Sequence, residues 1–323
     1  MDLNFSDANG TDIGALTRYF LDLEESAKAG SNTFQVKTSL EENKLETGYF
    51  LYIEGTGYGG KIDSVKIDTK SKTCYHSGRT WRGMFETKVI EPDSGADYYT
   101  VSGEGNEVLG QIISKIGLSA LFVASEEDSG IDIVDFQFPR YVDAYSGIIQ
   151  MLSQYGAKLS LMWTAGRVVV AAVPIVDYSK ETEISSDLFD FVIELNPTVV
   201  NHMIGLGQGE LANRQVVHKY LDGAGNVVDV QWYSGTEEIV AVYDYPNCES
   251  LSELEEQTAQ ALLDKAINSK ANITANDLNA DIGDKFTATE INSGLSATQY
   301  VINKIVTIEN DSIKTNYKVG DIL

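Results

Sequence analysis

The segment from Asn201 to Tyr220 constrains the fold more than any other stretch of the chain. Glycines at alternate positions (Gly205, Gly207, Gly209) lead into a strand-like run, Val216 to Leu221. A turn, Asp222-Gly-Ala-Gly-Asn226, then precedes a second run, Val228 to Trp232. Glycines so spaced invite a nucleotide-site reading, but the dinucleotide fingerprint needs G-x-G-x-x-G between a strand and a helix. Here position 210 is Glu210 and β-branched residues follow. Such glycines instead permit tight backbone geometry or bulges in a sheet.

The flanking regions are also β-rich. Thr33 to Leu40 alternates, with Phe34, Val36, Thr38 and Leu40 on one face, the period-2 pattern of a half-buried strand. Gly48 to Glu54 is dense in aromatic and aliphatic residues and suits a strand buried on both faces. Lys61 to Thr69 resumes as a strand, and Lys72 to Ile90 supplies one or two more. In the middle the period changes. Leu109, Ile112, Ile113 and Ile116 predict an amphipathic helix ending at Gly117, and Val142 to Leu152 repeats the pattern before Gly156. Leu159 to Trp163 and Val168 to Val173 flank a hairpin signal at 164–167. Ser250 to Glu253 is a capping box for a helix with a stripe at Leu254, Thr258, Ala261 and Leu262. Near the end, Ile313, Thr315, Tyr317 and Val319 alternate as an amphipathic strand.

With 323 residues, 43% of them apolar, the chain can bury real cores and hold two or more domains at about 150 residues each. Its 24 basic and 48 acidic residues give a net charge of −24. That field repels phosphate backbones, which argues against specific nucleic-acid binding. It serves solubility, and it also suits a negatively lined passage along which DNA slides without sticking. Candidate acidic segments are Glu41-Glu42, Glu126 to Asp128, and Asp187 to Asp190. Cys74 and Cys248 form no CxxC or Cys/His cluster, so free thiols from a reducing cytoplasm are expected. The N-terminus predicts no secretory signal, and no apolar run reaches the ~18–20 residues of a membrane span.

Chemistry-bearing motifs are absent from the sequence. There is no G-x-S-x-G elbow and no H-E-x-x-H. Asp277-x-Asn279-x-Asp281 resembles the start of a calcium loop, but its glycine is displaced to Gly283 and its twelfth position is Ala288. His76, His202 and His218 lie in or beside predicted strands, where a packed or surface role is the ordinary one. The three N-x-S/T matches carry no meaning without a signal peptide. No catalytic, cofactor-binding or metal-ligating residue is expected.

The order of features nevertheless resembles a known family. It runs from Asp12-Ile-Gly-Ala-Leu16 and Asn32 to Lys37, through Arg79-Thr-Trp-Arg-Gly-Met84 and Val89-Ile-Glu-Pro92, to Tyr99 to Asn106. It continues with Phe138 to Leu152, Asn201 to Gly207, Asp244 to Ser250 and Ile282-Gly-Asp284. Together these look like the tail-hub proteins at the tail tips and baseplates of siphophages and of prophage-derived contractile particles. The resemblance implies a β-dominant α+β fold: two small β-barrel-like domains with an α+β insert, assembled as a ring-shaped homotrimer. Segment boundaries would fall at 1–95 (first barrel-like domain), 96–180 (insert), 181–247 (continuing β core) and 248–323 (capped helix and second barrel-like domain). The implied role is a non-enzymatic hub made in the bacterial cytoplasm and built into the virion tail. It would join the tail tube and distal tail proteins to the tip or spike, and contact the tape-measure protein. No further C-terminal domain is expected, which leaves no room for a fused hydrolase. The alternative is a tail-associated peptidoglycan hydrolase, which a buried carboxylate pair in a cleft would favour. A secreted adhesin is disfavoured by the missing signal. Arg79, Trp81 and Arg82 have two readings. Trp81 is a core anchor with arginines paired to nearby carboxylates, or all three belong to a subunit interface, where Trp and Arg concentrate binding energy.

Overall fold

The computed structural model describes residues 2–41, 43–178, 184–185, 190–195, 200–246, 248, 250–266, 269–274, 280–289, 296–309 and 312–320. Strands dominate, with four α-helices among the described residues: α1 (Trp81–Glu86), α2 (Gly105–Lys115), α3 (Ala144–Gln154) and α4 (Leu251–Lys265). This is the β-dominant α+β class that the sequence predicts. The chain divides into two compact units, Met1–Val192 with Ala271–Ile322, and Ile193–Lys270.

In the first unit an antiparallel sheet runs in the order Asp12–Leu16, Leu3–Ser6, Phe50–Tyr52, Gly59–Asp68, Thr73–Thr80, Thr33–Ser39, Phe20–Ser26, Ser296–Glu309, Ser312–Gly320. Alternation sets its faces: in Thr33–Ser39, Phe34, Val36 and Thr38 are buried and the intervening residues exposed. Phe50–Tyr52 is buried throughout. Leu3, Phe5, Leu23, Val36, Ile62 and Val306 lie in the core enclosed by this sheet.

Among the described residues the two expected barrels do not close as separate rings. Among the described residues the strand order is an open path that ends at Asp12–Leu16. The strand Ser296–Glu309 is long enough to pair with three neighbours, the first being Lys285–Thr289 along Ser296–Tyr300. Asn303–Glu309 pairs with Phe20–Ser26, while Tyr300–Glu309 pairs with Ser312–Gly320 across a register shift between Val301 and Asn303. The first and last β regions therefore share one sheet, and the expected boundary at 95 falls inside the first unit.

The middle region follows its helical periodicity. The Glu104 carboxylate caps α2, accepting from the Asn106 and Glu107 amides at 2.8 and 3.0 Å. Val108, Leu109, Ile112 and Ile113 are buried along that helix. Asp143 caps α3 through the Ser146 amide at 2.9 Å. The hairpin Ala157–Thr164 with Arg167–Pro174 forms as expected, and Phe122–Ala124 adds a parallel strand. The stretch Lys72 to Ile90 departs from its all-strand expectation. After Thr73–Thr80 the chain turns into α1, with Thr80 as N-cap accepting from the Gly83 amide at 3.3 Å. A hydroxyl cap of this kind satisfies an otherwise orphaned helix amide.

In the second unit the sheet order is Val227–Val228, Val216–Leu221, His202–Leu206, Val240–Asp244. Of the run Val228 to Trp232 expected as a strand, only Val228 pairs, in the short strand Val227–Val228. Helix α4, capped by Ser250 through the Glu253 amide, buries Leu254, Thr258 and Leu262 completely. It packs on His202–Leu206 and Val216–Leu221, so the expected boundary at 247 falls within this unit. The alternate glycines now have a cause. A Cβ at position 205 would lie 1.9 Å from the Thr258 hydroxyl, so only glycine lets the helix approach the strand this closely.

The substitution Gly205→Ala should therefore destabilise this unit by about 1–3 kcal/mol, the usual cost of forcing atoms into a packed core. Adding Thr258→Ala removes the opposing hydroxyl and should restore part of the loss, as read by denaturant unfolding of both variants. Equal stability of Gly205→Ala and the parent chain would contradict the packing described.

Candidate functional site

Within the first unit, α1 places two large side chains in adjacent positions with opposite chemistry. Trp81 is fully buried and stacks on Trp163, with ring centroids 5.2 Å apart and planes 15° apart. Phe122 meets it edge-on at 6.5 Å, and Tyr52 stacks on Trp163 at 4.2 Å. Offset aromatic pairs of this kind add stability beyond their buried area. Here they join the main sheet to the hairpin of the middle region. Gly83 lets α1 approach the chain at Asn32, because a Cβ there would lie 2.2 Å from the Asn32 carbonyl oxygen.

Arg82 is 2% exposed and centres a charge network. Its Nη2 donates to Asp281 Oδ2 at 2.9 Å, and its Nε lies 3.4 Å from Glu25 Oε1. Lys304 Nζ sits 3.7 Å from Asp281 Oδ1, and Lys158 Nζ bonds Asp284 Oδ1 at 2.5 Å. The Asp284 carboxylate also accepts from the Val176 and Asp281 amides at 3.0 and 2.8 Å. Beside it, the Tyr145 hydroxyl donates to the Ser26 carbonyl at 2.6 Å. Three cations thus face three carboxylates drawn from segments far apart in sequence.

Burial opposes ionisation of Asp281, yet Arg82, Lys304 and Lys158 together hold its carboxyl below the usual carboxylate range. Burial raises Glu25 above that range, with Arg82 pulling against it. Burial opposes the charge of Lys304, yet Asp281, Tyr58 and Glu25 together hold it above its ordinary value. Glu25, Tyr58, Arg82, Lys158, Asp281 and Lys304 line a cleft of about 480 Å³. A cleft with paired carboxylates is what sugar hydrolysis uses, but that chemistry needs a free acid and a free base on opposite sides of a bond. Here both Glu25 and Asp281 are tied to one guanidinium. The arrangement is suited to locking segments together.

The three anchor residues named from sequence occupy different surroundings. Trp81 lies in the core and Arg82 in the network. Arg79 is partly exposed and forms a two-pronged pair with Asp63, Nη2 to Oδ1 at 2.7 Å and Nε to Oδ2 at 2.8 Å. Sequence reasoning did not find Glu25, Lys158 or Lys304, since an isolated charge in a strand pattern reads as a solvated position. Asp284 stands in the Ile282-Gly-Asp284 motif, and Asp281 in the calcium-like run. Asp277 and Asn279 of that run lie outside the described residues. Among the described residues no group of three or more His, Cys, Asp or Glu side chains is placed to hold a metal ion. Cys74 and Cys248 are free and buried.

Of the histidines, His76 is fully buried in Thr73–Thr80, and burial holds its imidazole below the ordinary histidine range. His202 and His218 come together on the sheet of the second unit. Glu41 and Glu126 to Asp128 are exposed, while Glu42 and Asp187 lie outside the described residues. No described helix is long and apolar enough to cross a membrane.

No protein-family model matches the sequence, and no curated protein does. Solved structures do match along the whole chain. A prophage MuSo2 43 kDa tail protein from Shewanella oneidensis superposes with a TM-score of 0.60 at 13% identity, over 100% of this chain and 99% of that one. A tail protein from Neisseria meningitidis MC58 gives 0.55 at 12% identity, over 99% and 96%. The prophage tail protein gp18 from Listeria monocytogenes EGD-e gives 0.50 at 10% identity, over 98% and 94%. This is the fold of prophage tail proteins. At such low identity the likeness lies in the architecture. The tail-protein fold accounts for the order of strands, insert and capped helix that the sequence displays.

The substitution Arg82→Met leaves Glu25 and part of Asp281 buried without their counter-charge. It should cost about 3–5 kcal/mol, the range seen when one partner of a buried ion pair is removed. Arg79→Met, at the exposed pair, should cost under about 1 kcal/mol. Urea unfolding of the two variants checks the contrast, and equal effects would contradict it.

Proposed function

We propose that this chain is the structural hub of a phage tail tip or baseplate. In this reading it is a ring-forming homotrimer joining the tail tube and distal tail proteins to the tip or spike, and it contacts the tape-measure protein. The observation that carries the reading is the end-to-end likeness to prophage tail proteins, which spans nearly the full length of both partners in each superposition. The charge-balanced Arg82 network supports a mechanical role over a chemical one, since its carboxylates are neutralised by Arg82, Lys158 and Lys304. The protein is made in the bacterial cytoplasm and ends in the virion tail. The net charge of −24 fits a ring through which DNA passes, because acidic walls give phosphates no cation on which to release counterions. Exposed acidic loops such as Glu126 to Asp128 are candidates for that wall.

A trimeric ring closes through heterologous contacts, with different faces of each subunit meeting. Light scattering on the purified chain should show three-chain particles, or a concentration-dependent approach to them. A strict monomer that also fails to join other tail proteins would overturn the hub.

The hydrolase reading rests on one observation, the buried Glu25 and the partly buried Asp281 carboxylates at a cleft. The hub reading expects no clearing of peptidoglycan by the pure chain. Clearing that Glu25→Gln or Asp281→Asn abolishes would establish the hydrolase instead.

A further inference from the structure

Helix α4 covers one face of the sheet in the second unit. Thr258 lies against Gly205 and Leu254 against Gly207, so the helix packs on the odd-numbered side of this strand. Alternation turns Ile204 and Leu206 to the opposite face. There Ile204 sits between His218 and Val242, and Leu206 between Val216 and Asp244. Val216, Val240 and Val242 are 47%, 47% and 56% exposed. Among the described residues, half of the chain's exposed large apolar side chains lie in this unit, about a quarter of its length. Apolar side chains gathered in this way mark a contact surface, whereas scattered single ones carry no such meaning.

The same face ends at an open edge. Val240–Asp244 is the last strand of the sheet, and no described strand pairs with its outer side. A row of backbone N–H and C=O groups is therefore left to water. Sheet edges are ordinarily guarded by lysine, proline or a bulge. Val240–Asp244 has none of these: it runs in unbroken parallel register with His202–Leu206 and places Val240 and Val242 on the open face. An edge of this kind accepts an extended segment as one more strand. Backbone hydrogen bonds give such a contact its affinity, and alternate side chains give its specificity.

Charge around the edge selects the segment. Glu237 and Glu238 precede the strand and Asp244 closes it. Arg214, the cation beside Asp244, is already committed to that carboxylate and to the Gly207 carbonyl at 3.0 Å. Over 193–270 acidic residues outnumber basic ones three to one. A second copy of this chain would bring like charge to the edge, which opposes its docking.

We propose that this edge and face dock an extended segment of a different protein, alternately apolar and flanked by lysine or arginine. The segment adds a strand beside Val240–Asp244, continues the apolar face of Val240 and Val242, and sets its cations against Glu237, Glu238 and Asp244. Docking of this kind uses the second unit alone and does not require the chain to form a ring.

Fluorescence anisotropy on the full chain, with labelled peptides that alternate valine and threonine, tests the contact. One peptide is flanked by lysines and the other by glutamates. The lysine-flanked peptide should bind, and the glutamate-flanked one should bind about tenfold more weakly or worse, a gap that narrows with added salt. Methylating alternate backbone nitrogens of the lysine-flanked peptide should abolish binding in one of the two phases, because it removes the edge hydrogen bonds. Val242→Asp and Val240→Asp, both at exposed positions and checked for unchanged circular dichroism, should each weaken binding about tenfold or more. No binding of the lysine-flanked peptide, equal binding of the two peptides, or binding unchanged in both variants would overturn the proposal. Association of the chain with itself that both variants abolish would assign the face to a second copy and overturn it as well.

Discussion

The first unit depends on the neutralisation of Arg82. Burying a guanidinium to 2% exposure costs several kcal/mol of desolvation unless counter-charges and hydrogen bonds meet it. Glu25 and Asp281 supply the counter-charge, and Lys304 and Lys158 extend the network to Asp284. These side chains come from the N-terminal strands, α1, the hairpin of the middle region, the turn at 281–284 and the strand Ser296–Glu309. The network therefore forms only when all of those segments are in place. Its value lies less in net stability than in specifying one arrangement, since a misplaced segment leaves a charge stranded.

The apolar half of the same joint begins one residue earlier. Trp81 and Trp163 stack, Tyr52 extends the stack and Phe122 closes its edge. Two adjacent residues on a six-residue helix thus serve a dry aromatic cluster and a salt network at once. That economy explains why the Arg-Thr-Trp-Arg-Gly run is so dense: Thr80 caps the helix, Trp81 and Arg82 make the joint, and Gly83 lets the backbone approach Asn32. The network itself is balanced, three charges against three. The large acidic excess of the chain must therefore lie elsewhere, and the exposed Glu126 to Asp128 loop is one such place.

Much of this architecture was legible in the sequence because it rests on periodicity. The strand Thr33–Ser39, helices α2 and α3, the hairpin at 164–167 and the Ser250 cap all follow from local patterns. The short helix α1 was hidden because a six-residue element has too few turns to show a helical period. The union of the two β regions was hidden because it depends on Asn303–Glu309 finding Phe20–Ser26, a pairing that no local signal encodes. The candidate site was legible only in its Trp81 and Arg82 corner. Glu25, Lys158 and Lys304 acquire meaning only from partners distant in the chain. His202 and His218 looked isolated for the same reason, being diagonal neighbours across two strands.

The most direct test of the hub account is electron cryo-microscopy of the assembled particle carrying this chain. The account predicts three copies in a ring at the distal end of the tail tube, with a net-negative axial wall and the Arg82 network buried inside each subunit. Density that places the chain away from the tube axis, or a ring wall lined mainly by lysine and arginine, would contradict it.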